Sequence, residues 1–317
     1  MKRKTICIGL IVTILLLLVG IVAGGGFYLL DYALSPQTAR NDEASSYEEL
    51  TTGYPFLTQW VDSLNETPAL KDTVILNKEG IRLHAYYVPA TFPTAKTAVI
   101  VHGYGDHSLR MMMIGYMYHH DLGFNILLPD LQSHGKSEGQ AVQMGWKDRL
   151  DVMEWMTVAN NIFDNNTQMV VHGISMGAAT TMMIAGEEQP NFVKCFIEDC
   201  GYTSVWDEFS EELENRFQLP KFPFLYVSDW LCRQKYGWSF KEASSLKQIK
   251  KSILPMLFIH GDADTFVPTH MVYSLYEAKP EPKELWVVPG VGHAISYKKN
   301  KEEYTCRVKA FVEKYIR

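Results

Sequence analysis

A serine lies between two glycines in the segment 173–177, which reads GISMG and has the form G-x-S-x-G. An apolar run, Met169–Val171, precedes it, and a helix-forming run follows from Met176. A strand that turns directly into a helix strains the backbone at the turn and lifts the side chain there above the sheet. Glycines on either side remove the Cβ atoms that would clash. The pattern therefore predicts that Ser175 is a nucleophile.

A serine hydroxyl needs a base at neutral pH, and the base needs an acid to orient it. His293 follows a strand-like run, Leu285–Val288, and two aspartates, Asp262 and Asp264, follow the run Met256–Ile259. The chain order is therefore serine, aspartate, histidine, as hydrolases built on an open α/β sheet require. We predict acyl transfer by Ser175 with His293 as the base, and either aspartate can be the acid on spacing alone.

Short apolar runs alternate with helical segments along residues 71–317. Strands buried on both faces look like such runs, and their alternation with helices predicts a mostly parallel, doubly wound sheet of eight strands. The strand-like runs are Thr73–Leu76, Ile81–Val88, Thr97–Val101, Asn125–Leu128, Met169–Val171, Val193–Ile197, Met256–Ile259 and Leu285–Val288. The helical segments are Leu109–Leu122, Trp146–Asn160, Met176–Gly186, His270–Glu277 and Glu302–Ile316.

An insertion interrupts this alternation before Met256, and it is far longer than a usual connection. Its many aromatic residues predict a small helical cap at about 202–250 over a pocket, although packing on the domain surface would explain them too. The insertion also carries four acidic residues that either select a basic substrate or form a solvated helix face. They are Asp207, Glu208, Glu211 and Glu212.

The N-terminus has the features of a membrane anchor. Three basic residues, 2–4, precede an uncharged run, Thr5–Leu30, and about 20 apolar residues span a bilayer as a helix. The positive-inside rule places the rest of the chain outside the cytoplasm. We therefore expect a single-pass anchor at 1–30, a stalk at 31–70 with a helix around Ser46–Leu64, and the hydrolase domain at 71–317. A signal peptide that is cleaved to give a secreted protein is the alternative.

Composition excludes several classes of protein. A hydrophobic fraction of 47% argues against disorder, and a net charge of −6 argues against a nucleic-acid partner. The five cysteines form no C-x-x-C pair, and the sequence has no H-E-x-x-H segment, which disfavours a zinc hydrolase. We expect no metal and no cofactor.

Five segments together resemble the α/β-hydrolase superfamily. Within it, the chain is similar to the exported or membrane-anchored bacterial hydrolases of the BEM46-like type and to monoacylglycerol lipases. The segments are VHGYGDH at 101–107, LLPDLQSHGKSEG at 127–139, GISMG at 173–177, IHGDADTFVP at 259–268 and GVGHA at 290–294.

The resemblance implies roles for further residues. It favours Asp264 over Asp262 as the acid, and it implies that the backbone N–H groups of Met176 and Tyr104 form the oxyanion hole. Three other polar residues of the matching segments are implied to be mainly structural. They are His102, Asp130 and His134.

The sequence thus predicts a serine hydrolase that cleaves a small carboxylic ester through an acyl-enzyme. An exported peptidase or amidase acting on peptide-like substrates is the first alternative, and thioesters or lipids are a further option. A noncatalytic binding protein on a hydrolase scaffold is the rival from another class.

Overall fold

A computed structural model describes residues 2–36 and 43–317, so residues 37–42 of the expected stalk lie outside the described residues. The centre of the molecule is an eight-stranded sheet with helices on both faces. The strands are β1 (Lys71–Leu76), β2 (Arg82–Val88), β3 (Lys96–Val101), β4 (Asn125–Pro129), β5 (Gln168–Ile174), β6 (Val193–Asp199), β7 (Met256–Gly261) and β8 (Lys283–Val288). The helices are α1 (Lys2–Leu34), α2 (Glu43–Gly53), α3 (Thr58–Glu66), α4 (Met112–Tyr116), α5 (Asp148–Ile162), α6 (Met176–Ala185), α7 (Val205–Phe217), α8 (Phe224–Tyr236), α9 (Ser245–Ile249), α10 (His270–Ala278), α11 (Ser296–Lys299) and α12 (Lys301–Val312).

The strands are ordered β1-β2-β4-β3-β5-β6-β7-β8 across the sheet. The pairs β1–β2 and β2–β4 are antiparallel, and every pair from β4–β3 to β7–β8 is parallel. The predicted mostly parallel sheet of eight strands is therefore confirmed. Parallel strands place their carboxyl ends along one edge, where ligands bind in open α/β folds.

Two apolar cores cover the two faces of the sheet. Val99 and Val101 of β3 belong to one core, while Ala98 and Ile100 belong to the other, and all four side chains are fully buried. Side chains alternate between the faces of a strand, so an unbroken apolar run serves both cores.

Two predicted helices are interrupted. The helix expected around Ser46–Leu64 is instead α2 and α3, separated by a short 3₁₀ turn that starts at Pro55. Proline has no N–H to continue a helical ladder, so it begins a new turn there. The segment predicted as one helix from Leu109 is a 3₁₀ turn, α4 and a π-helical turn in succession.

The N-terminal helix extends beyond the predicted anchor. Within the described residues, Cys7–Leu34 is the one helix long and apolar enough to cross a membrane. It ends at Leu34 rather than at residue 30, because its last turns pack on the domain built around the sheet, where Leu30 and Leu34 are buried. Residues 31–34, expected to begin a stalk, are helical.

Candidate active site

Ser175 occupies a sharp turn between β5 and α6. Its backbone has φ 57° and ψ −120°, a conformation that residues other than glycine rarely adopt. Its N–H donates to the carbonyl of Asp199 on β6 at 2.8 Å, which ties the strained turn to the sheet. Strain of this kind persists only where surrounding structure imposes it, and it occurs often at functional sites.

The glycines on either side of Ser175 are required by close backbone contacts. A Cβ at Gly173 would lie 2.0 Å from the carbonyl oxygen of Gly177, and a Cβ at Gly177 would lie 2.1 Å from that of Val101. No side chain fits at either position. The explanation inferred from the sequence, that the glycines remove clashing Cβ atoms, agrees with this geometry.

Three residues far apart in sequence form a continuous hydrogen-bonded series. The Oγ of Ser175 lies 2.8 Å from Nε2 of His293, and Nδ1 of His293 lies 2.7 Å from Oδ2 of Asp264. The Asp264 carboxylate is buried, whereas the imidazole of His293 is partly exposed. The structure thus brings together the serine, histidine and second aspartate expected from the sequence.

The surroundings of Asp264 favour its ionised form. Burial alone would raise its pKa, but hydrogen bonds with His260 and His293 outweigh burial and lower the pKa to about 2. Its other oxygen accepts the backbone N–H groups of Phe266 and Val267 at 2.9 and 3.0 Å. A carboxylate that accepts several hydrogen bonds remains charged at neutral pH.

Asp262, the alternative acid, lies elsewhere. It is exposed, and its Oδ1 accepts the N–H of Gly290 at 2.6 Å. It therefore connects the loop after β7 to the loop after β8, which carries His293. The choice of Asp264 over Asp262 agrees with this placement.

Sequence reasoning missed His260, which contacts Asp264, and Glu198, whose carboxyl acts electrostatically on His260. Nε2 of His260 donates to the carbonyl of Val267 at 2.9 Å and lies 3.3 Å from Oδ2 of Asp264. Burial lowers the pKa of His260, but the hydrogen bond with Asp264 and the charge of Glu198 raise it overall. Burial raises the pKa of Glu198 to about 8. The position of His260, between the strand-like run Met256–Ile259 and the segment GDAD at 261–264, was the signal available in the sequence.

His102, which was expected to be structural, supports the loop beside Ser175. Its Nδ1 donates to the carbonyl of Gly103 at 2.8 Å, and its Nε2 accepts the N–H of Leu131 at 2.9 Å. One ring nitrogen must be protonated and the other bare, which describes a neutral imidazole. Burial, followed by the nearby His134, lowers the pKa of His102 to about 3, in agreement with that state.

Asp130 and His134 hold neighbouring loops in a similar way. The N–H of Gly105 donates to Nε2 of His134 at 3.3 Å, and Asp130 accepts the N–H of Ser108 and bonds Nδ1 of His84. None of these contacts involves Ser175 or His293, so they fit the structural role that the resemblance implies.

Gly103 brings the next residue, Tyr104, to the nucleophile. A Cβ at Gly103 would lie 3.8 Å from Oγ of Ser175, and Tyr104 and Met176 line the same cavity as Ser175. Met176 is also the first residue of α6, where backbone N–H groups lack partners within the helix. Both residues expected at the oxyanion hole therefore border the space next to Ser175.

A cavity of about 500 Å³ opens beside Ser175. The inserted helices α7 and α8, the end of α1 and loops at the carboxyl edge of the sheet line it, and most of its surface is apolar. Its lining includes Leu29, Tyr32, Ala33, Tyr104, Ser175, Met176, Tyr202, Glu208, Phe209, Glu212, Leu213, Arg216, Phe217, Leu225, Phe240 and Phe266.

The acidic residues of α7 have different environments. Asp207 accepts the hydroxyls of Thr203 and Ser204 at the start of the helix, and Glu212 pairs with Arg216. Glu208 lines the cavity, is buried, and has an Oε2 without a hydrogen-bond partner in the described structure. Burial, followed by the negative charge of Glu212, raises its pKa.

One group of potential metal ligands coincides with the site. Ligand atoms of Cys200, Asp264 and His293 lie within 4.8 Å of one another. Burial raises the pKa of the Cys200 thiol well above its usual value, and the His293 nitrogen is already hydrogen-bonded to Asp264. A metal would need the thiolate and would break that bond, so this arrangement suits proton transfer better than metal binding.

Comparison with known proteins shows the family to which the chain belongs. The family model described as the prolyl oligopeptidase family matches residues 133–317, which contain Ser175, Asp264 and His293. The chain belongs to the prolyl oligopeptidase family. It is also 30% identical to YqkD of Bacillus subtilis over 240 residues, or 76% of this chain and 78% of that protein.

Among more distant relatives of this prolyl oligopeptidase family member is the lysophosphatidylserine lipase ABHD12 of Danio rerio. It is 23% identical over 190 residues, which cover 57% of this chain and 45% of that protein.

Solved structures share the fold of this family member. The Pyrococcus furiosus esterase Pf2001 superposes with a TM-score of 0.64 at 23% identity, over 78% of this chain and 93% of the esterase. The acylaminoacyl peptidase of Pyrococcus horikoshii superposes with a TM-score of 0.59 at 15% identity, over 78% of this chain and 42% of the peptidase. The family match together with this shared fold places the protein in the α/β-hydrolase superfamily of serine hydrolases.

Proposed function

We propose that the protein hydrolyses carboxylic esters, with Ser175, His293 and Asp264 as a catalytic triad. The observation that carries the proposal is the unbroken pair of short hydrogen bonds, 2.8 Å from serine to histidine and 2.7 Å from histidine to aspartate. A nucleophile within reach of a base, itself oriented by a buried carboxylate, is the arrangement that acyl transfer requires.

In the first half of the reaction, Oγ of Ser175 attacks the ester carbonyl and its proton moves to Nε2 of His293. Asp264 stays ionised, accepts the Nδ1–H and stabilises the imidazolium. The tetrahedral intermediate collapses as His293 gives the proton to the departing alkoxide, which leaves as an alcohol. The acyl group remains on Ser175.

In the second half, water gives a proton to His293 and attacks the acyl-enzyme. Collapse of the second tetrahedral intermediate returns the proton to Ser175 and releases the carboxylic acid. In both halves, the negative oxygen is held by the backbone N–H groups of Met176 and Tyr104. Removing one such donor in other serine hydrolases costs about 10²–10³ in kcat.

The cavity indicates the kind of ester. Its lining is mainly aliphatic and aromatic, which suits an apolar acyl chain, and its volume of about 500 Å³ lies in the range of small-molecule sites. The similarity to the Pyrococcus furiosus esterase Pf2001 and to the lysophosphatidylserine lipase ABHD12 supports the same substrate class. We expect a small-molecule substrate with a medium-length acyl group.

Peptide hydrolysis is the second candidate. The family name and the acylaminoacyl peptidase among the structural neighbours favour it, and the same triad can attack an amide. The buried carboxyl of Glu208 in the cavity would suit an amine or amide donor of such a substrate.

We further propose that α1 anchors the protein as a single-pass helix with residues 71–317 outside the cytoplasm, and that the helices within 202–250 form a cap. Three basic residues on the N-terminal side support this orientation. Packing of Leu30 and Leu34 in the domain core supports retention of α1, because a cleaved signal peptide would leave that part of the core open.

The test compares the full chain with its Ser175→Ala variant. Hydrolysis of p-nitrophenyl esters from acetate to decanoate is measured beside an aminoacyl-nitroanilide. We expect ester turnover that falls at least about 10³-fold in the variant. Turnover of the anilide alone would favour the peptidase, and equal rates in both proteins would contradict the triad.

A further inference from the structure

The outer end of α1 packs closely against α8. A Cβ at Gly25 would lie 2.7 Å from a ring carbon of Phe224, and a Cβ at Gly26 would lie 2.5 Å from a methyl group of Val227. The hydroxyl of Ser228 also donates to the carbonyl of Gly26 at 2.9 Å. Because no larger side chain fits at these positions without a shift, the two glycines set how closely the helices approach.

Burial changes sharply along α1. Large side chains from Ile8 to Ile21 are about half exposed or more, whereas Leu30 and Leu34 are almost completely buried. The helix therefore has two parts. The first is a bare apolar part whose length suits a bilayer. The second, residues 25–34, buries one face, including Leu30 and Leu34, in the domain core, while Phe27 and Tyr28 on its other face stay exposed.

The last carbonyls of α1 bind two loops of the hydrolase domain. A helix leaves its final carbonyl groups without partners inside the helix. Here the carbonyl of Ala33 accepts the hydroxyl of Tyr104 at 3.0 Å, and the carbonyl of Leu34 accepts the N–H of Val142 at 2.9 Å. The backbone N–H of Tyr104 is proposed to stabilise the oxyanion. The end of α1 therefore supports the loop 102–107 after β3, which carries Tyr104 and is called the oxyanion loop below.

The same turns of α1 also face the substrate cavity. Leu29, Tyr32 and Ala33 line the cavity that contains Ser175. Tyr32 is held there by an edge-on contact with the ring of Phe217, with ring centroids 5.5 Å apart. This wall of the cavity therefore comes from the N-terminal helix and not from the sheet or the inserted helices.

We propose that residues 25–34 of the N-terminal helix are part of the substrate site: Leu29, Tyr32 and Ala33 limit the acyl chain, and Ala33 positions the oxyanion loop through Tyr104. The inference rests on the proposed ester hydrolysis, because it assigns the helix to the acyl cavity of that reaction. The anchor and the enzyme are then one functional unit, and cleavage that removes residues 25–34 abolishes efficient turnover.

The first experiment enlarges one wall residue in the full chain, in detergent micelles. Leu29→Trp is compared with Leu16→Trp, the same change at a position on the bare part of the helix that is 67% exposed. We expect Leu29→Trp to lower the ratio of kcat/KM for p-nitrophenyl octanoate over acetate by about tenfold, as a filled pocket rejects extra methylenes. Leu16→Trp should leave the ratio unchanged.

A smaller residue at the same place provides the opposite test, and it remains informative if the tryptophan variant does not fold. Leu29→Ala should raise the octanoate-to-acetate ratio, and Leu16→Ala should not. If neither change at Leu29 alters the ratio in an active protein, the assignment of α1 to the acyl cavity is overturned.

Support of the oxyanion loop is tested with Tyr104→Phe, which removes only the hydroxyl that bonds Ala33. We expect kcat to fall about fivefold with little change in KM, since loss of positioning weakens transition-state binding. Tyr273→Phe, an exposed tyrosine on α10, is the control. An unchanged kcat in Tyr104→Phe would overturn the positioning role.

The two proposals fail in distinguishable ways. A wild-type protein that hydrolyses no ester contradicts the proposed function and, with it, this inference. A wild-type protein that hydrolyses both esters, with Leu29 and Leu16 variants behaving alike, contradicts the inference and leaves the proposed function standing.

Discussion

His260 lies against Asp264: its Nε2 is 3.3 Å from Oδ2, the carboxylate oxygen that accepts Nδ1–H of His293 at 2.7 Å. Both side chains are completely buried, so the contact is not weakened by solvent. His260 is not among the residues that line the cavity, and its hydrogen-bond partners are Val267 and Asp264. We therefore expect it to act through Asp264, as a positioning residue.

Replacing His260 by glutamine should lower kcat about tenfold and change KM little. The imidazole also bonds the carbonyl of Val267, so its loss loosens the loop that orients Asp264. Ester kinetics on the full chain measure kcat and KM separately. The variant His120→Gln, at an exposed histidine, is the control. A rise in KM at constant kcat would contradict a positioning role.

The two aspartates of the GDAD segment should differ strongly when each is changed to asparagine. Asp264→Asn removes the carboxylate that orients His293 and should lower kcat by about 10⁴, by analogy with the aspartate of other triads. Asp262 only accepts the N–H of Gly290, so Asp262→Asn should have a small effect. Comparable losses in the two variants would refute the assignment of the acid.

A methyl group at Gly177 should prevent the turn at Ser175 from forming. Its Cβ would lie 2.1 Å from the carbonyl oxygen of Val101, so backbone must shift, and we expect a loss of more than about 3 kcal/mol in stability together with activity. Gly20→Ala is the matched control, because nothing lies within 4 Å of its added Cβ. Thermal unfolding of both variants in detergent measures the difference, and similar melting temperatures would contradict the prediction.

Glu198 should make folding stability depend on pH. Burial raises its pKa to about 8 in the folded protein, above the value in an unfolded chain. An acid with a raised pKa contributes stability that is complete below the unfolded pKa and is lost as pH rises toward the folded pKa. Glu198→Gln should therefore gain stability relative to wild type between about pH 4.5 and 8, on the order of 3 kcal/mol at pH 7.

Urea unfolding of wild type and Glu198→Gln at several pH values tests this dependence. The exposed Glu66→Gln is the control and should parallel wild type throughout. A constant difference between wild type and Glu198→Gln across the range would mean that Glu198 does not titrate as described.

Ionisation of the buried Glu208 should lower the free energy of unfolding at alkaline pH. Its carboxyl is buried without a partner for Oε2, and its pKa is raised by burial and by Glu212. Since a raised pKa removes stability as pH increases, Glu208→Gln should unfold at higher urea concentration than wild type at pH 8 and differ less at pH 5. Glu211→Gln serves as the neighbouring control, and a destabilised Glu208→Gln at pH 8 would contradict the expectation.

The sequence by itself determined the sheet and the order of the reacting groups. Continuous apolar runs predict strands buried on both faces, and the strand-like runs lie within about three residues of the observed bounds. The pattern G-x-S-x-G predicts the turn at Ser175 because such a tight turn has no room for a Cβ atom at the two flanking positions. His293 and an aspartate, Asp262 or Asp264, are predicted near Ser175 because each stands just past the end of a strand, where a parallel sheet brings such residues to one edge. Only the family resemblance favoured Asp264.

Other features were decided only by the tertiary structure. No local pattern shows that His260 lies against Asp264, that Glu208 has no partner, or that Leu29 and Ala33 line the cavity beside Ser175. The sequence of an apolar helix does not show whether lipid or protein covers it. The predicted anchor therefore ends at residue 30, where the uncharged run ends. The boundary depends on what packs against each turn, and packing between distant segments is a property of the folded chain.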